Sequence, residues 1–204
     1  MTVAFVSKQS SGIARVLHGV TRIAADVPRR ARVTYDRALH PSRHASVRRK
    51  LAKNVPPKRI LVLCYGNVCR SPYLQAALQR ELPEVQVMSA GFIGAGRSVP
   101  PIALELGRKR GFELATHRST LVTPAAIRDA DVVVVMDAEQ ARRVAGSFPI
   151  TLDKIVIAPD LAPKFAGVRA IRDPMNQPVN VFISAFDHLD RCAATLVGAL
   201  RTAR

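Results

Sequence analysis

Tryptophan is absent from this 204-residue sequence and aromatic residues make up only 5% of it. A core must therefore rest on Val, Leu, Ile and Ala. Cysteine is scarce as well: three residues, an odd number, exclude a disulfide scaffold and fit the reducing environment of the cytoplasm. No apolar run approaches the ~20 residues of a membrane-spanning helix. Val3-Ala4-Phe5-Val6 is also shorter than the apolar stretch of about 7–15 residues in a secretory signal. The expectation is a soluble, cytoplasmic protein without a transmembrane segment. Acidic side chains are few, 15 Asp and Glu against 31 Lys and Arg, for a net charge of +16. The remaining composition, 48% hydrophobic and 23% charged, excludes wholesale disorder and suits one ordinary domain with an extension.

The positive charge is concentrated at one end. Residues 1–58 hold 13 basic and 2 acidic side chains, a balance of +11, leaving +5 for residues 59–204. Residues 1–57 read as a basic, partly helical extension. Its charge offers an anionic partner, membrane surface or nucleic acid, an attachment without sequence specificity. Stacking on nucleic-acid bases has little to work with, since the arm's aromatics are Phe5 and Tyr35. Apolar residues at three- and four-residue steps, from Ile13 through Val20 to Val27, predict an amphipathic helix over 11–27 that Pro28 ends. A second short helix is predicted from Ser42 through Val47 to Leu51. Pro56-Pro57 then marks a boundary, and removal of residues 1–54 is expected to leave the downstream domain working.

From 58 to 204 apolar runs alternate with helical stretches. Strands are predicted over 59–63, 85–88, 132–135 and 155–157, and helices over 71–82, 101–110, 137–144 and from about 180 to 200. This order implies an α/β three-layer sandwich: a four-stranded parallel sheet with right-handed crossovers and helices on both faces. Ligands of such sheets lie beyond the carboxyl ends of the strands.

At one such end stands Leu63-Cys64-Tyr65-Gly66-Asn67-Val68-Cys69-Arg70-Ser71-Pro72. A buried strand leads in, Gly66-Asn67 tolerate left-handed backbone, and a helix with Pro in its first turn leads out. Such a loop turns successive N–H groups toward one point beside a helix N-terminus, forming a cradle for a phosphate or similar tetrahedral anion. Inward amides, the helix end and Arg70 all favour thiolate over thiol at Cys64, and the thiolate is the nucleophile. Arg70 can grip two equatorial oxygens with its planar fork. Ser71 can donate to the sulfur as it leaves. Tyr65, Gly66, Asn67, Val68 and Cys69 complete the anion-binding loop.

This loop resembles the signature of the low-molecular-weight protein tyrosine phosphatase family, whose fold the thioredoxin-type arsenate reductases share. Ser89-Ala90-Gly91, Gly111 with Leu114 and His117-Arg118, Val135-Met136-Asp137 and Asp173-Pro174 follow in family order. The resemblance covers about residues 58–200. It implies a cysteine-dependent phosphatase acting through a phosphocysteine at Cys64 on phosphorylated protein or a small phosphoester, with Asp173 as general acid and then base. Neither metal nor cofactor is expected: Pro41 separates His40 from His44, and His117 and His188 stand alone. Asp137 reads as a helix N-cap. In the family a cysteine at the position of Cys69 can pair reversibly with the nucleophile; the other reading is a packed thiol. Cys192 falls on the apolar stripe of the last helix.

The sequence departs from the family at both substrate walls. Ala95 occupies the position of a usual Trp or Tyr, and Met175-Asn176-Gln177 follow Asp173-Pro174 where Tyr is usual. Protein phosphotyrosine is the leading substrate, with Tyr65, Phe92 and Met175 available to line a different slot. Other readings are a non-aromatic ester, phosphoarginine (disfavoured by Val68 where arginine phosphatases carry Thr), and an anion-binding module without catalysis. Arsenate reduction is disfavoured because residues 136–172 contain no cysteine.

Overall fold

The computed structural model describes residues 29–53, 57–150, 152–162, 164 and 167–202. The helix expected over 11–27 and Pro28 lie outside them. Two compact units divide the chain between Ala38 and Leu39. Helix α1 (Arg29–Lys53) runs through that point. The second unit continues with β1 (Arg59–Cys64), α2 (Arg70–Glu81), β2 (Gln86–Gly91), α3 (Pro101–Lys109), α4 (Pro124–Asp129), β3 (Val132–Val135), α5 (Ala138–Ser147), β4 (Ile155–Ile157) and α6 (Val179–Thr202). Among these helices none is long and apolar enough to cross a membrane.

The four strands are all parallel, in the order β2-β1-β3-β4. Strand alternation sorts their side chains onto two faces. Ile60, Val62 and Cys64 of β1 and Val132 and Val134 of β3 join α2, α3, α6 and the end of α1 in the larger core. Leu61 and Leu63, with Val133 and Val135, face α4 and α5. Both faces of the central strands are covered, so β1 and β3 read as continuous apolar runs. Four aromatics, Tyr73, Phe112, Phe182 and Phe186, lie in the larger core. Tyr73 stacks on Phe186 at 3.9 Å and meets Phe112 edge-on at 5.2 Å, which fixes α2 against α6.

The structure changes three local expectations. Helix α1 passes through Pro41 rather than starting at Ser42. A proline forfeits one backbone hydrogen bond, and here tertiary bonds straddle it. His40 Nε2 lies 2.9 Å from Ala162 O, and His44 Nδ1 lies 3.0 Å from Asp160 O. The two rings stack 6.2 Å apart, so Pro41 does not spoil their shared face. Strand β2 runs three residues further than expected, through Ser89-Ala90-Gly91, because pairing of Ala90 with Leu63 and Gly91 with Cys64 overrides weak strand propensity. Helix α4 is additional; Thr123 caps it by accepting from Ala126 N at 3.1 Å, and Pro124 opens it.

Val47 and Leu51 are 5% and 1% exposed and belong to the larger core. The compact unit thus reaches back to Leu39, upstream of the boundary placed at Pro56-Pro57.

Candidate active site

Cys64 is the last residue of β1 and lies buried at the floor of the turn that follows. Its Sγ accepts hydrogen bonds from Asn67 N at 3.2 Å and from the Ser71 hydroxyl at 3.0 Å. The backbone reaches that geometry through Asn67, whose φ of +51° is left-handed, a conformation Asn tolerates better than most residues. Gly91 lets the turn sit tight on β2: a Cβ there would stand 2.8 Å from Asn67 N. Helix α2 begins at Arg70, so its N-terminal end faces the turn.

Asn67 is completely buried, and its side chain faces the scaffold rather than the cradle. Nδ2 donates to the hydroxyls of Ser71 (3.0 Å) and Ser89 (2.9 Å), and Oδ1 accepts from Thr120 N at 2.8 Å. Accepting from Asn67 leaves the Ser71 proton free to point at Cys64. The Asn67 carbonyl lies 2.9 Å from Nε2 of His117. What Asn67 offers inward is its amide N–H.

Arg70 is 4% exposed. Its Nη1 donates to Ile171 O at 2.9 Å and its Nη2 is ion-paired with Asp173 Oδ2. Nε is buried with no hydrogen-bond partner among the described residues. Oδ1 of Asp173 accepts from Met175 N at 3.1 Å, closing the Asp-Pro turn. The carboxylate from a distant turn thus meets the guanidinium of the cysteine turn. Asp137, the competing carboxylate, caps α5 by accepting from Gln140 N at 2.8 Å.

Val68 and Cys69 point into the core and offer the cradle only backbone. Burial pushes the Cys69 thiol up to about 12, reinforced by Cys64 and Asp173 and opposed by Arg70 and Arg97, so it stays protonated. Burial also raises Cys192 to about 12, and its Sγ donates to Ala158 O at 3.0 Å. All three cysteines are free.

The mouth differs from an aromatic slot. Ala95 is exposed, and Met175 is 41% exposed. Tyr65 is 47% exposed, and the Arg143 guanidinium lies 5.9 Å from its ring and 4.6 Å from that of Phe92. Among the described residues no group of three or more His, Cys, Asp or Glu could hold a metal ion.

Sequence reasoning missed the outer partners His117, Ser89, Thr120 and Arg97 as contributors to the site. They reach the turn from 22 to 53 residues away. Ser89 lies in β2, and the other three are polar residues of connecting segments, which carry no periodicity that would betray them.

The sequence profile described as "Low molecular weight phosphotyrosine protein phosphatase" matches residues 59–204. A probable low molecular weight protein-tyrosine-phosphatase EpsP of Ralstonia nicotianae is 33% identical over 146 residues, covering 71% of this chain and 97% of that protein. A protein-arginine-phosphatase of Geobacillus stearothermophilus is also 33% identical, over 148 residues, covering 72% and 98%. Among solved structures, the tyrosine phosphatase Wzb of Escherichia coli in complex with sulphate superposes with a TM-score of 0.65 at 27% identity, covering 71% of this chain and 99% of that one. With a parallel sheet, a cysteine turn and a profile match that all span the same residues, this chain belongs to the low molecular weight phosphotyrosine protein phosphatase family.

Proposed function

We propose that this protein hydrolyses phosphomonoesters, foremost phosphotyrosine in proteins, through a phosphocysteine at Cys64. One observation carries the reading: a sulfur accepting from a backbone amide and a hydroxyl, beside a buried guanidinium paired with a carboxylate from another turn. The substrate phosphoryl group seats over Sγ, with backbone N–H groups and the Arg70 fork on its oxygens. The Cys64 thiolate attacks phosphorus in line; the S–P bond forms as the P–O ester bond breaks. Asp173, protonated, gives its proton to the departing oxygen. Water then attacks phosphorus and Asp173 takes back the proton. The S–P bond breaks, the Ser71 hydroxyl steadies the returning thiolate, and inorganic phosphate leaves.

Tyr65 is the exposed aromatic beside the nucleophile, and its ring favours an aryl ester over an alkyl one. Val68, buried in the core, offers no hydroxyl at the position where arginine phosphatases carry Thr, which places phosphoarginine second. Three free thiols suit the cytoplasm. The basic charge of residues 1–58 suits an anionic partner, membrane surface or nucleic acid.

Hydrolysis of p-nitrophenyl phosphate and of matched phosphotyrosine and phosphoarginine peptides tests the reading. Cys64→Ser is expected to reduce turnover to below about a thousandth of wild type. Equal rates for wild type and Cys64→Ser would overturn it.

A further inference from the structure

Arg97 lies outside the substrate path, yet its guanidinium is seated against the back of the cysteine turn. Nη2 donates to Gly66 O at 2.6 Å and to Ile93 O at 2.7 Å, and Nε donates to Gly94 O at 3.2 Å. Two glycines make the slot. A Cβ on Gly66 would stand 3.0 Å from Nη2, and one on Gly94 would stand 2.6 Å from Nε. Ser119 ties down the same loop: Arg97 N donates to its hydroxyl at 2.9 Å, that hydroxyl donates to Gly94 O at 2.7 Å, and Ser119 N donates to Arg97 O at 2.9 Å.

The Gly66 carbonyl and the Asn67 N–H belong to one peptide unit. In a trans peptide these groups point in opposite directions. The guanidinium therefore holds one end of a peptide dipole whose other end donates to Cys64 Sγ at 3.2 Å. A cation on the carbonyl polarises the unit and makes its N–H a stronger donor, as in any chain of hydrogen bonds. A lysine has no planar fork to bridge three carbonyls on two segments.

We propose that Arg97 is a positioning residue for the nucleophile: by gripping the Gly66 carbonyl it keeps the Asn67 amide aimed at Cys64 and favours the thiolate. The proposal rests on Cys64 being the nucleophile. Its test is chosen to read the sulfur without turnover.

The full chain carrying Arg97→Ala, Arg97→Lys or Ser119→Ala is compared with wild type. Ultraviolet thiolate absorbance is recorded across pH, each variant minus its Cys64→Ser counterpart. The same variants give kcat/KM for p-nitrophenyl phosphate across pH. Arg97→Ala is expected to lower the thiolate signal at mildly acidic pH about fivefold, with kcat/KM falling in parallel there and recovering toward alkaline pH. Arg97→Lys recovers part of the signal. Ser119→Ala, which removes the hydroxyl's bonds to Arg97 N and Gly94 O while leaving the guanidinium on the Gly66 carbonyl, stays within about twofold of wild type. An Arg97→Ala titration superimposed on wild type overturns the proposal, and so does a Ser119→Ala variant that reproduces the Arg97→Ala shift. A wild type with a normal thiolate titration but no hydrolysis would instead refute the phosphatase reading.

Discussion

Replacing Asp173 by Asn separates two jobs that the proposed mechanism gives the carboxylate, and it moves them in opposite directions. As proton donor to the leaving oxygen, the acid is worth about 10²–10⁴ in turnover for a poor leaving group. An amide cannot give a proton, so kcat on phenyl phosphate is expected to fall by about that factor, and less on p-nitrophenyl phosphate. The same carboxylate is ion-paired with Nη2 of Arg70, where an anion would have to compete with it for the guanidinium. A charge-assisted hydrogen bond is worth about 1.5–3 kcal/mol. The Asp173 side chain is 45% exposed, which reduces the figure to about 1 kcal/mol. Removing that competitor should tighten competitive inhibition by inorganic phosphate or vanadate about fivefold. The assay is steady-state hydrolysis of the two esters with phosphate as inhibitor. An Asp173→Asn enzyme that keeps its rate on phenyl phosphate, or binds phosphate more weakly than wild type, would refute the reasoning.

Further predictions concern the frame around the site. Leu51→Ala is expected to cost about 2–5 kcal/mol in urea unfolding, because the side chain is 1% exposed in the larger core. A Leu51→Ala cost below about 1 kcal/mol would show that residues 39–53 are not docked. Burial, then Arg191 and His40, lowers His188 from 6.5 to about 4 in the folded protein. Between those values the unfolded chain binds a proton that the folded one refuses. Stability should therefore fall by up to about 3 kcal/mol as pH drops from 6.5 to 4, and His188→Leu should flatten that slope in acid-series melts. Asn67→Asp swaps two donors for acceptors. Ser71 and Ser89 must then turn their protons toward the new carboxylate, and the phosphocysteine should hydrolyse more slowly, seen as a larger burst followed by a slower steady state. An unchanged second phase would separate Ser71 from sulfur departure.

The cysteine turn was legible because its parts are contiguous: a buried strand, a left-handed Asn and a helix start lie within ten residues and constrain one another. Asp173 was legible only through family resemblance, since Asp-Pro by itself is a turn signal. Pro41 misled because proline is read as punctuation, whereas bonds from His40 and His44 to Ala162 and Asp160 hold the helix across it. Helix α4 was missed although Thr123-Pro124 is a start signal, because six residues are too few to show an amphipathic period. The end of β2 was missed because Ser-Ala-Gly has little strand propensity, and its extension is imposed by β1. The outer grips of His117, Arg97 and Thr120 were out of reach for another reason. They are fixed by where the sheet brings separate segments together, and a linear pattern does not encode that.

The site divides into a frame that stays put and a clasp that must open. Asn67 bonds Ser71, Ser89 and Thr120 through its side chain, and its backbone is held between His117, Cys64 and the peptide that Arg97 grips. Those bonds shape the cradle, and an arriving phosphate requires none of them to break. The ion pair of Arg70 with Asp173 does have to part. Arg70 can make that exchange with little swing, because Nη1 is held by Ile171 O, two residues from Asp173. Nη2 trades a carboxylate oxygen for a phosphate oxygen, and the buried Nε gains a partner it lacks among the described residues. In the proposed mechanism the released carboxylate is then free to take up the proton it gives to the leaving oxygen. On that mechanism, binding and acid catalysis are linked through one exchange of partners at Arg70.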